Sequence, residues 1–338
     1  MATTMLQLGF DKESAWNKVK DRLSVFMDMN CWINMRDERY PVAVAVRDRL
    51  KDLVSSGQVV CPLSWGLIEE LFTQSPDLRR RTASLMEELS LNVTYVMRRE
   101  AFEWEITRSV RRLASEEADD SLNGLFAPVA AFNGSQFPVE FPEDYPIQKV
   151  DQERVRAIAK QGLGMTGLAQ LVDTLDVPPN EGHHPPAYSE AARKAMALAK
   201  GNKSKLLEME ANEVFRIYVV PSLMKFPPAV VAQWMATVVN PSKRDTLTPE
   251  SYLSLPALSN YVEIMATVDS QPSRKDKNND FFDYEIMVVP LAYSSAFVSK
   301  DKGIKHLLTQ RTQILKRTSC QYCDGLEALE QWFKDKGM

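Results

Sequence analysis

The chain has little of what marks a secreted or membrane-bound protein. Cysteine is scarce: Cys31, Cys61, Cys320 and Cys323 are the only four in 338 residues. That is too few for a disulfide framework, so they are expected to be reduced and structural. The first ten residues lack a basic stretch followed by an apolar one, and no later run approaches the roughly 20 apolar residues that span a bilayer. A cytoplasmic protein with no membrane contact is expected. Net basic charge is missing as well. The 41 Lys and Arg against 45 Asp and Glu leave −4, so no global positive field draws in a polyanion, and any nucleic-acid site must be local.

What is present is an ordinary globular balance, 44% hydrophobic and 25% charged, at a length that suggests about two domains or one with a large insertion. Polar residues 11 to 22 suit a helix. Leu23-Ser24-Val25-Phe26-Met27 then reads as a short strand stopped by Asp28 and Asn30. Apolar spacing from Pro41 to Ser55 predicts a helix, Val59 to Leu63 a strand, and Ser64 can cap the helix that carries Ile68, Glu69, Glu70 and Leu71. A helix over 77 to 89, a strand over 92 to 97 and a helix over 98 to 114 with Phe102, Ile106, Val110 and Leu113 on one stripe complete a β-α-β-α-α-β-α order. Strands alternating with helices predict a parallel sheet covered by helices.

The middle changes character. Residues 115 to 150, with Pro128, Pro138, Pro142 and Pro146 among aromatics, predict a long ordered loop. Residues 150 to 265 are mostly helical by pattern, without repeats, and broken at Pro178 to Pro186 and at Pro227-Pro228. The α/β pattern then returns: a helix from Asp280 or Asp283, a strand at 296 to 299, a helix over 303 to 315, a strand over 319 to 322 and a closing helix over 326 to 334. Pro290 should kink or end the first of these helices near Val289. The expected fold class is therefore α/β, with the domain divided into 1–114 and 271–338 by a mainly helical insertion at 115–270.

Asp28 and Asp301 each follow an apolar strand of the same predicted sheet, and parallel sheets place ligands beyond the carboxyl ends of their strands. Glu69 or Glu70 and Asp280 or Asp283 supply further carboxylates at positions such a fold can bring together. Crowded carboxylates repel unless a hard cation neutralises them. Mg²⁺ suits such a site because it prefers oxygen ligands and binds through one or two carboxylates plus a substrate phosphate. Isolated acids at these places also cap helices.

These residues resemble the PIN-like nuclease family. The matching pieces are Phe26-Met27-Asp28-Met29-Asn30, the helix Ser64 to Leu71 with its glutamates, Asp280-Phe281-Phe282-Asp283, and Val298-Ser299-Lys300-Asp301, over about 1 to 100 and 278 to 336. The resemblance implies a parallel sheet between helices, Mg²⁺ or Mn²⁺ as cofactor, and endoribonuclease activity on single-stranded or structured RNA. It implies Asp28, Glu70, Asp283 and Asp301 as ligands, with Glu69 and Asp280 as the substitutes for Glu70 and Asp283. Asn30 would orient the loop or the scissile phosphate, and Ser299 would be the hydroxyl near it. Two other functions fit the same residues: a non-catalytic PIN-like scaffold that binds RNA, a protein or another copy of itself through the insertion, and a structure-specific DNA nuclease.

Other features are expected to be structural. Cys320-Gln321-Tyr322-Cys323 has C-x-x-C spacing but no second pair, and His183-His184 sits in a Pro-rich loop. Trp65, Trp104 and Trp234 belong to the core. Arg79-Arg80-Arg81, Arg98-Arg99, Arg108 with Arg111-Arg112, and Lys302 with Lys305 are candidates for phosphate contact, although charge runs on helices are usually solvated faces.

Overall fold

Leu23–Met27 (β1), buried at all but its first position, is the strand around which the chain is arranged. The structure is a computed structural model that describes residues 12–114, 121–129, 167–174, 195, 197–238, 247–270 and 280–338, with the side chains of 280–285 outside that description. Val59–Val60 (β2) pairs parallel to β1 on one side, and Ala296–Ser299 (β5) pairs parallel on the other. Gln321–Asp324 (β6) lies parallel beyond β5, giving the order β2-β1-β5-β6. Pro62 has no N–H to give, so the β2 ladder stops short of it. Leu63 resumes the pairing, its N–H donating to Val93 O at 3.0 Å and its carbonyl accepting from Tyr95 N at 2.9 Å. That parallel bridge links the sheet to Val93–Tyr95 (β3) and its antiparallel partner Phe126–Pro128 (β4).

The mixed α/β architecture with a parallel sheet flanked by helices is as expected, and several helices match closely: Pro41–Ser55, Pro76–Ser90 and Arg98–Leu113. Other elements differ, each for a physical reason. The helix Met29–Arg36 buries one face, Met29, Cys31, Trp32, Met35 and Arg36, but that face includes an arginine while Ile33 lies on the half-buried side, so polarity does not follow burial and the segment carries no amphipathic signal. β4 lies in the segment read as loop, a three-residue edge strand whose last residue is a proline, a place where a missing donor is tolerated. The helix Asp280–Tyr293 runs through Pro290 rather than ending before it. One helix over 303 to 315 is two, Lys302–Gln310 and Thr312–Arg317, separated at Arg311, whose Nε donates to Thr267 Oγ1 at 2.7 Å. β6 is shifted two residues from the expected 319–322, which preserves which residues share a face. The four cysteines are free and buried.

One apolar core joins the sheet to the helices of the middle segment. Phe297, Phe26, Tyr95 and Phe126 form an aromatic band across it, with centroid separations of 5.4, 6.2 and 5.0 Å along that order. Each such ring contributes on the order of 2 kcal/mol by burial alone. Arg98–Leu113 packs on the helix Pro256–Asp269, and Trp234 is fully buried beneath the same layer, its Nε1 donating to Ser109 Oγ at 2.9 Å. His183 and His184 lie outside the described residues.

Glu105 joins these layers in a way no periodicity reveals. It is buried, and it accepts hydrogen bonds from Ala257 N at 2.7 Å, from Leu258 N at 3.1 Å and from the Tyr293 hydroxyl. The Pro256–Asp269 helix has Leu255 at its N-cap and no side-chain cap of its own, so a carboxylate from another helix does that work. Burial pushes the Glu105 carboxyl up to about 7, against the pull of the Tyr293 hydroxyl and the two amides. A folded-state pKa above the unfolded 4.5 means that this group's contribution is fully present below pH 4.5 and is lost as pH rises through about 7. Denaturation at pH 5 and pH 8 should therefore show wild type losing stability relative to Glu105→Gln, by at most roughly 3 kcal/mol. Parallel pH profiles for the two proteins would refute this.

Candidate metal centre

The parallel sheet reverses its winding between β1 and β5: the chain leaves β1 toward β2 on one side, while β5 continues to β6 on the other. Crevices at such a reversal, outside the carboxyl ends of the strands, are where open α/β sheets bind ligands. The residues flanking this one are Asp28 after β1 and Ser299 to Asp301 after β5.

Asp28 extends the β1–β5 pairing by one bond, its N–H donating to Val298 O at 3.0 Å. It then caps the Met29–Arg36 helix, with Oδ1 accepting from Cys31 N at 3.0 Å. Its Oδ2 accepts from the hydroxyl of Ser299, which is fully buried. The same Ser299 Oγ accepts from Asp301 N at 3.0 Å. Asp301 in turn caps the Lys302–Gln310 helix, Oδ1 accepting from Gly303 N at 2.6 Å and Ile304 N at 2.9 Å. One serine thus ties together two acids 273 positions apart in the chain (301 − 28).

Alternation along the strands places Asp28 two residues above Phe26, and Ser299 two above Phe297, on the same face as the aromatic band. That apolar floor leaves Asp28 3% exposed. Burial raises the Asp28 carboxyl from its ordinary value, opposed by the Ser299 and Cys31 hydrogen bonds, with the negative Asp301 adding to the rise.

The other expected residues stand as follows. Glu69 and Glu70 are half-buried on Trp65–Leu71, whose first turn is capped by Ser64 Oγ accepting from Leu67 N at 3.4 Å. This helix packs against Asp280–Tyr293. The latter ends beside the start of β1, where Ser295 N donates to Ser24 O at 2.8 Å. The side chains of Asp280 and Asp283 lie outside the described residues. Asn30 is exposed in the first turn of its helix.

Asp324 was not among the sequence candidates. It ends β6 in register with Ser299 and on the same face. The alternation Tyr322–Asp324 carries the signal, and an expected strand over 319 to 322 stops two residues short of it. The Tyr322 hydroxyl donates to Ser299 O at 3.0 Å, and its phenol is pushed up by burial and then by Asp324, Asp28 and Asp301. Some arginines read as phosphate candidates are engaged elsewhere: Arg79, 2% exposed, donates to Phe72 O and Gln74 O at 3.0 Å, and Arg98 and Arg108 lie over the Tyr261 and Trp104 rings.

The donors gathered at this edge, carboxylates and a hydroxyl, are all oxygen, the set a hard divalent cation takes. Among the described residues no three His, Cys, Asp or Glu side chains are already grouped to hold a metal ion, and among them no helix is long and apolar enough to cross a membrane. No protein-family model matches the chain, and no curated protein and no solved structure matches it.

Proposed function

We propose that the chain is a PIN-like, Mg²⁺- or Mn²⁺-dependent endoribonuclease whose centre is the strand-end crevice between β1 and β5. The observation that carries the reading is the joining of Asp28 to Asp301 through Ser299 at the winding reversal of a parallel sheet. Asp28 and Asp301 would hold the cation, with Glu70 and Asp283 as the further ligands and Glu69 and Asp280 as their substitutes. Bound there, the cation supplies charge neutralisation at phosphorus and a more acidic attacking water.

The chain's own residues do the rest. Ser299 fixes the orientation of Asp28 and donates to its carboxylate. The aromatic floor excludes water beneath it, which strengthens every electrostatic interaction at the rim. Asn30, exposed beside Asp28, is free to meet the phosphate. The scaffold reading also has an observation in its favour: both Asp28 oxygens already accept hydrogen bonds, as in a purely structural cap.

Side-by-side incubation with end-labelled RNA and DNA of one sequence, in Mn²⁺ and in EDTA, decides between them. Cleavage of RNA in Mn²⁺ alone is expected. Cleavage of DNA in preference would replace the substrate class, and cleavage of neither would leave the scaffold reading.

A further inference from the structure

A cavity of about 430 Å³ lies where the three parts of the chain meet. One wall is the Arg98–Leu113 helix, a second is the middle segment at Thr237, Ser254 and Pro256, and the third is Tyr293. Ser24 Oγ donates to Tyr293 O at 3.4 Å, so the cavity lies toward the edge where β1 starts, away from the crevice at its end. A volume of this order suits a small molecule, and the space between helices is a common place for such a site.

The polar lining is rich in donors. Arg108 and Arg112 stand one turn apart on the same face of their helix, and Ser109 lines the cavity beside them. Ser109 Oγ accepts from Trp234 Nε1 at 2.9 Å, which leaves the hydroxyl its own proton to give. Arg108 lies over the Trp104 ring at 5.0 Å, a contact that uses its charge and none of its five N–H donors. Both arginines make further contacts within the chain, and a guanidinium has donors for more than one partner. Acceptors are few and already spent. Glu105, the only acid of this lining among the described residues, turns its carboxylate to Ala257 N, Leu258 N and the Tyr293 hydroxyl.

Two cations against one acid leave the cavity positive. Pro256 opens the 14-residue helix Pro256–Asp269, whose positive end adds to this. A tetrahedral phosphate accepts from several directions at once, as donors spread over two arginines and a serine require. A planar carboxylate is met best by a single bidentate arginine. Orthophosphate would fill only a fraction of the volume, and the rest is bounded by Trp104, Leu113 and Pro256.

We infer that this cavity binds a small phosphate monoester, of sugar-phosphate to mononucleotide size, its phosphate held by Arg108, Arg112 and Ser109 and its organic part set against Trp104 and Pro256. A ligand there touches all three parts of the chain and so holds the middle segment against the sheet. The site is separate from the crevice and does not depend on the nuclease reading.

The test is isothermal titration calorimetry of the full chain in EDTA with ribose 5-phosphate, AMP, orthophosphate and adenosine. At least one of the two esters should bind saturably and more tightly than orthophosphate, while adenosine should give no measurable heat. Arg112→Gln, at an exposed position, should weaken that ester roughly tenfold. Ser254→Trp, at the exposed mouth, adds bulk without charge and should abolish binding. Lys305→Gln, beside the crevice, should bind as wild type does. Unliganded melts that match wild type show that the variants fold. The inference is overturned if neither ester binds, if orthophosphate binds as tightly as both, or if adenosine matches AMP. Wild-type affinity in folded Arg112→Gln or Ser254→Trp overturns it too, as does a loss in Lys305→Gln, which would move the phosphate to the other edge.

Discussion

Asp28→Asn should lose RNA cleavage in Mn²⁺ by roughly a hundredfold or more while melting in EDTA at or above the wild-type temperature. The loss follows from removing a ligand charge, since even the outer partners of metal ligands are worth about 10- to 100-fold. The stability follows from what stays behind. Asparagine is as good an N-cap as aspartate, its Oδ1 can keep the bond from Cys31 N, and its Nδ2 can donate to Ser299 Oγ. The aspartate carries a cost that asparagine does not: with its folded-state pKa above the ordinary 3.8, ionisation at neutral pH works against folding. The stability this group gives is present below pH 3.8 and fades as pH rises, so the gap between variant and wild type should widen toward neutrality. Thermal melts in EDTA at pH 5 and pH 8, beside a cleavage time course, check both halves. Undiminished cleavage, or a variant that melts well below wild type, would contradict the assignment of Asp28 as a site held in readiness at some cost to folding.

Breaking the buried ion pair of Glu263 and Arg317 should destabilise the whole chain by about 3–5 kcal/mol. Their side chains are 4% and 9% exposed, and they join the Pro256–Asp269 helix of the middle segment to Thr312–Arg317, which leads into β6. Arg317→Met leaves Glu263 as an uncompensated buried charge. The pair is also incompletely satisfied: Glu263 Oε2 and Arg317 Nη1 lack a hydrogen-bond partner among the described residues. The double variant Glu263→Leu/Arg317→Met should therefore recover most of the loss or exceed wild type. Urea unfolding followed by tryptophan fluorescence and by circular dichroism should give coincident transitions for all three proteins, because the middle segment shares one core with the sheet. Two separated transitions, with only one displaced by Arg317→Met, would show that the middle segment folds by itself.

The α/β class was legible because β1 and β5 are short, continuously buried runs set between amphipathic helices, and the Pro41, Pro76 and Arg98 helices announce their ends through prolines and polar boundaries. The Asp28–Asp301 pair was legible because both residues terminate apolar strands. The Ser299 bridge was not, since a register of parallel strands is a property of pairs that no single segment encodes. Asp324 was lost to a two-residue error in a strand whose boundary residues, Ser319 and Asp324, are equally turn-like. The Met29–Arg36 helix escaped because its buried face includes Arg36 and its half-buried side carries Ile33, which blurs the periodicity. Glu105 looked like one acid among many on an Arg/Glu-rich helix, and only the uncapped start of a helix 150 positions downstream gives it a purpose.

The most direct measurement of the central claim is anomalous diffraction from crystals grown with Mn²⁺. An anomalous peak within coordinating distance of Asp28, shared with Asp301 or Asp283, is the predicted result. A crevice without a peak at saturating Mn²⁺, Asp28 still bonded only to Ser299 and Cys31, would reduce it to a helix cap and end the account of this edge as a metal centre.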